Sequence, residues 1–170
     1  MIIDGIGLVN VASIYEKWCL LKIIHVLNQV YHFEIQSGWQ QVLIDAVLTK
    51  SVNIEIELHA ESRQQTILLT YEKVLESGKR PDFVVDLFSK DYSVDPADSS
   101  SWVFTGAKCS RLVLDAKFRG EITEKQLHAL ISELYENKNY SENGVNQVFI
   151  IHPSPNVIDN RTSPLAWGSH

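Results

Sequence analysis

The chain has 170 residues, 45% of them hydrophobic and 21% charged, and carries 15 Lys+Arg against 21 Asp+Glu for a net charge of −6. That length and balance suit one globular domain with a real core and exclude disorder, collagen and coiled coil. An acidic chain is also poorly suited to gripping nucleic acid over its whole surface, and no apolar run reaches the roughly 20 residues a membrane-spanning helix needs.

A cytoplasmic protein without membrane contact is therefore expected. Cys19 and Cys109 form no C-x-x-C pair, so two inert thiols in a reducing compartment follow, and a structural zinc site does not. Six of the basic residues fall in two short segments, Lys79 and Arg80, then Lys108, Arg111, Lys117 and Arg119.

In chain order, Val11 to Tyr31 predicts a wide, well-buried apolar helix, because Ile14, Trp18, Leu21 and a second row through Leu20, Ile23, Ile24 and Leu27 recur at helical spacing. Ser37 and Gly38 break it, and Trp39 to Val47 predicts a shorter helix. Val52, Ile54, Ile56 and Leu58 then alternate with Asn53, Glu55, Glu57 and His59 at period two, the pattern of a half-buried antiparallel strand. Thr66 to Tyr71 and Asp82 to Phe88 are further strands. Ser89 to Ser101, polar and serine-rich, reads as a surface loop. Trp102 to Thr105 reads as a short strand before a turn at Gly106, and Arg111 to Phe118 as a strong one. Thr123 with Gln126 fits a capping box opening an amphipathic helix, and Val145 to Ile151 is a last apolar strand. A strand, helix and strand in that order imply a right-handed crossover and a parallel pair. The tail 156–170 lacks periodicity and reads as a loop or the stub of a longer polypeptide.

Within Arg111 to Phe118, period two puts Leu112, Leu114, Ala116 and Phe118 on one face and Asp115 and Lys117 on the other. Asp82, after Pro81, opens a neighbouring strand. Two carboxylates from adjacent strands with an amine beside them could hold a hard cation through oxygen, as phosphodiesterases do. Glu16 on the first helix is a fourth member, since an acid on an apolar face is costly unless paired or bound to metal.

Ser13 to Trp18 with Glu16, Arg80-Pro81-Asp82-Phe83, and Leu114-Asp115-Ala116-Lys117-Phe118-Arg119-Gly120 together resemble the PD-(D/E)XK, or restriction-endonuclease-like, nucleases, in the wording closest to the McrC-like group of restriction and virus-defence domains. The resemblance runs from about Val11 to His152 and implies an α/β restriction-endonuclease-like fold, a mixed β-sheet flanked by α-helices, over residues 1–155. By that resemblance Asp82, Asp115 and the main-chain carbonyl of Ala116 would bind Mg²⁺, or alternatively Mn²⁺, with Glu16 joining directly or through water. Lys117 would orient or deprotonate the attacking water. Lys79, Arg80, Arg111 and Arg119 are candidates for DNA phosphates and Gln126 for a substrate contact beside its capping role. Asp86 is either an accessory ligand or, as preferred, a solvent-facing strand residue. His128 reads as surface, and Glu55, Glu57, His59 and Glu61 as the wet face of a strand rather than a metal site. Trp18, Trp39 and Trp102 read as packing residues, while Trp167 lies in the tail.

The expected function is Mg²⁺-dependent cleavage of DNA as the nuclease of a restriction or anti-phage system. With no P-loop or zinc finger in the chain, a separate NTPase or target-recognition protein would be its partner, and a homodimer would supply two sites. The rival is a non-catalytic DNA- or partner-binding module of the same fold. RNA cleavage would use the same chemistry.

Overall fold

A computed structural model describes residues 9–94, 102–119 and 122–153. The elements are helix α1 (Val9–Gln29), strand β1 (Glu34–Ile35), helix α2 (Trp39–Thr49), strands β2 (Ile54–Ala60), β3 (Gln65–Tyr71), β4 (Phe83–Val94) and β5 (Trp102–Ala116), helix α3 (Glu124–Ser132) and strand β6 (Gln147–Ile151). The tail 156–170 with Trp167, and the serine run before Trp102, lie outside the described residues. No described helix is long and apolar enough to cross a membrane.

Six strands form one sheet in the order β1-β2-β3-β4-β5-β6. The first five run as an antiparallel meander, and β6 returns parallel to β5 through α3. The result is the mixed sheet between helices that the sequence implies, with the crossover between the last two strands.

The alternation of β2 is strict: Ile54, Ile56, Leu58 and Ala60 are buried, and Glu55 and Glu57 are exposed. Its buried row joins Ile67, Leu69, Tyr71, Phe83 and Val85 under Tyr15, Cys19, Leu20 and Ile24 of α1 and Ala46 of α2. A second core lies on the opposite face over β4 to β6 only, where Leu75, Leu134 and Tyr140 cover Val84, Val113 and Val148. The sheet is thus covered on one face throughout and on the other face over part of its width.

Three expectations are corrected here. Ser89 to Val94 and Trp102 to Gly106 are not loop, short strand and turn but continuous arms of β4 and β5, paired up to Val94↔Trp102 with an irregularity beside Asp91 and Tyr92. The sequence of neither arm keeps a strict apolar alternation, so periodicity misses their length. Secondly, α1 is not buried all round: Ile14, Trp18 and Leu21 are about half exposed, because only one stripe of the helix meets the sheet. Trp18 stacks on Tyr15 with Lys22 above it rather than entering the core. Thirdly, Glu61 leaves the row of Glu55 and Glu57, since it begins a single turn of 3₁₀-helix.

Candidate active site

The site lies where β4 starts and β5 ends, one end of two neighbouring central strands. The register pairs Phe83 with Leu114, so the next step places Asp82 opposite Asp115. Asp82 Oδ2 accepts a hydrogen bond from the Ala116 N–H at 2.6 Å. Lys117 forms an ion pair with Asp115 Oδ2, and its own N–H donates to the Ile151 carbonyl at 2.8 Å, so β6 holds the residue that carries the amine. Asp115 is only 2% exposed.

Glu16 arrives from α1. The Tyr15 and Phe118 rings meet at a centroid distance of 5.4 Å, which pins the first turns of the helix to the chain just after β5. That contact brings Glu16, the next residue of α1, within electrostatic reach of Asp82, Asp115 and Lys117. Burial pushes the Asp82 carboxyl up to about 7, and the charges of Asp115 and Glu16 add to the rise while the Ala116 N–H and Lys117 oppose it. Burial likewise raises Glu16, with Glu72 and Asp115 contributing and Lys17 and Lys117 opposing. Three acids held close together under partial burial repel one another, which a bound cation would relieve.

The donors present fit a divalent ion. Asp115 Oδ2 is buried and its described partner is the Lys117 ammonium. Asp82 keeps one carboxylate oxygen free of any described hydrogen bond, and the Ala116 carbonyl lies on the strand between Asp115 and Lys117. No three His, Cys, Asp or Glu side chains among the described residues form a ready-made metal cluster. Two carboxylates, one main-chain oxygen and several waters suit Mg²⁺, which keeps part of its water shell, better than an all-protein cage would.

Sequence reasoning missed two neighbours. Glu72, just after β3, has a left-handed backbone at φ 52°, donates its N–H to the Asp82 carbonyl at 2.8 Å and pairs with Arg80 at 3.7 Å. Positive φ at a glutamate is uncommon and marks a position the fold holds against local preference. No period-two or motif signal points to it. Tyr140, far along the chain, donates its hydroxyl to the Arg80 carbonyl at 3.1 Å, and burial with the nearby charges of Asp115 and Asp82 raises its phenol far above the ordinary value.

The remaining candidates divide. Lys79 and Arg80 sit in the turn that leads into Asp82, and Arg119 follows Phe118; all three are exposed at the same end of the sheet as the acids. Arg111 is turned elsewhere: its Nε and Nη2 donate to both oxygens of Asp86 at 2.6 and 3.0 Å, and Nη1 lies 3.5 Å from Glu142. Gln126 closes the capping box, accepting from the Thr123 N–H at 2.9 Å while Thr123 Oγ1 accepts from its N–H. Asp86 corrects an expectation: it is not solvent-facing but 2% exposed, with Lys73 donating at 2.9 Å. Burial opposes its ionisation, yet the hydrogen bonds from Arg111 and Lys73 outweigh burial and hold the carboxyl below the ordinary range. With both oxygens occupied it is no metal ligand. Buried Cys19 and exposed Cys109 are free thiols.

The profile of the PD-(D/E)XK nuclease superfamily matches residues 13–152. The chain belongs to that superfamily, whose members typically use divalent metals. It is also 36% identical over 168 residues to a pyrethroid hydrolase of Klebsiella sp., an alignment spanning 97% of this chain and 25% of that protein. The chain thus corresponds to about a quarter of the relative's length. No solved structure matches it. Membership of a nuclease superfamily supports hydrolytic activity.

Proposed function

We propose that this domain is a metal-dependent endonuclease that hydrolyses phosphodiester bonds in DNA. One observation carries the reading: Asp82 and Asp115 converge from adjacent strands with Lys117 against Asp115 and the Ala116 N–H on Asp82. Mg²⁺ or Mn²⁺, held by Asp82, Asp115 and the Ala116 carbonyl, would supply positive charge for the scissile phosphate and lower the pKa of the attacking water.

The chain's own residues account for the rest. Lys117, with its backbone fixed by the Ile151 carbonyl, presents an ammonium that orients the water and stabilises charge developing on the phosphate. Glu16, whose carboxyl burial raises, would join the metal directly or through water. Lys79, Arg80 and Arg119 offer cations to flanking phosphates. The acidic chain as a whole grips DNA weakly, which favours recruitment by a partner. The likeness to McrC-type domains supports a restriction or anti-phage role, with a separate NTPase or target-recognition protein and a homodimer for cleaving both strands.

The non-catalytic alternative gives no chemical reason to bring a second carboxylate, the half-buried Asp82, beside the Asp115–Lys117 pair. A panel tests the proposal: supercoiled plasmid, single-stranded DNA, RNA and, because the relative is named a pyrethroid hydrolase, a pyrethroid, each with Mg²⁺ and with EDTA. The proposal expects EDTA-sensitive plasmid nicking leaving 5′-phosphate ends. Turnover of the pyrethroid alone overturns it.

A further inference from the structure

We infer that Tyr140 is a positioning residue for the candidate site, setting the Asp82 carboxylate by clamping the Arg80 carbonyl that precedes Pro81. The inference rests on the reading of Asp82 as a site residue and adds to it the device that holds this residue in place.

Asp82 is not within a strand; it is the residue before β4, so the ladder alone does not fix it. Two contacts do. Its carbonyl accepts from the Glu72 N–H, and two residues upstream the Arg80 carbonyl accepts the Tyr140 hydroxyl at 3.1 Å. Pro81 between them is fully buried and its ring fixes φ, so restraint at Arg80 passes to Asp82 with little slack.

The clamp is itself braced. Tyr140 is 3% exposed and packs with Leu134, Val113 and Val148, its N–H donating to the Leu134 carbonyl. The turn around it has positive φ at Asn139, Glu142, Asn143 and Gly144, conformations that persist only where surroundings over-determine them. Here Asn146 supplies the determination. Its Nδ2 donates to the Tyr140 carbonyl at 3.3 Å and to Glu142 at 2.7 Å, and its N–H donates to the Ser141 carbonyl. Glu142 in turn faces Arg111, which is locked on Asp86, which also binds Lys73. A continuous polar chain thus runs from β4 through β5 to the turn and on to Arg80. It gives the pair of buried Asp86 and half-buried Arg111 a purpose that substrate binding does not.

The test uses a reporter needing neither metal nor turnover. The Ala116 N–H has the Asp82 carboxylate as its partner, so its hydrogen exchange follows where that carboxylate sits. Exchange is measured by NMR on the parent, Tyr140→Phe, which deletes only the hydroxyl, and Tyr135→Phe as a control in the same core. The inference expects Ala116 exchange at least fivefold faster in Tyr140→Phe, with Val113 unchanged and Tyr135→Phe like the parent. A smaller change at Ala116, or equal acceleration of Ala116 and Val113, overturns it. On DNA the same variant is expected to lose at least fivefold in kcat with KM within twofold. If the parent cleaves no DNA, the nuclease reading falls by itself, and the Ala116 amide still decides the role of Tyr140.

Discussion

Replacing Asp82 with Asn should abolish activity and stabilise the metal-free fold. Asparagine keeps the shape and can still accept the Ala116 N–H, but it removes a charge that burial, Asp115 and Glu16 all disfavour. The carboxyl rises from the ordinary 3.8 to about 7. At 1.36 kcal/mol per pKa unit, that amounts to roughly 4 kcal/mol of destabilisation once both folded and unfolded chains are ionised. Between these two values the folded protein holds a proton that the unfolded chain has released. Raising the pH through that window therefore removes stability from the parent, and above about 7 the difference is flat. The assay is thermal unfolding of both proteins in EDTA from pH 4 to 8. Near pH 4 the two should differ little. At pH 8 the variant should melt roughly 8 to 16 °C higher, for a domain in which 1 kcal/mol moves Tm by about 2 to 4 °C. A variant less stable than the parent at pH 8, or a gap independent of pH, would refute the electrostatic reasoning.

Arg111→Met should lower Tm, because it leaves Asp86 buried with Lys73 as its one cation; breaking such a pair costs about 3 kcal/mol, the partial exposure of Arg111 and the surviving lysine placing it at the low end. Unchanged Tm with reduced DNA affinity would instead make Arg111 a phosphate contact. Combining it with Asp86→Leu should recover much of the loss, and calorimetry of the four proteins checks this as a cycle. Changing Lys79, Arg80 and Arg119 together to Ala should weaken DNA binding and flatten the plot of log affinity against log salt by roughly 2 to 3 units, about 0.9 for each phosphate no longer neutralised. An unchanged slope would place the DNA elsewhere.

The sheet was legible where one face is apolar and the other wet. Ile54 to Ala60 shows its alternation because Glu55 and Glu57 do face water. The same alternation misleads at Asp86, since the outer face of β4 lies under Leu75, Leu134 and Tyr140, and periodicity says which residues share a face but not what covers it. The arms of β4 and β5 past Ser89 escape a periodicity reading because backbone pairing makes the ladder there without a strict apolar alternation. Asp82, Asp115 and Lys117 were readable because strand register converts sequence spacing into proximity, and the Thr123 capping box because it is local. Glu72 and Tyr140 were not, for their roles come from a left-handed backbone and a hydrogen bond spanning sixty residues, neither of which any short pattern encodes.

Cleavage of supercoiled plasmid in Mg²⁺ by the parent and by Asp115→Ala, at equal concentration and with folding verified, addresses the central claim most directly. Loss of a buried carboxylate that holds charge at the reacting phosphate should slow nicking at least about 10²-fold, with Lys117→Ala similarly impaired. Equal nicking by parent and Asp115→Ala would contradict the assignment of the site.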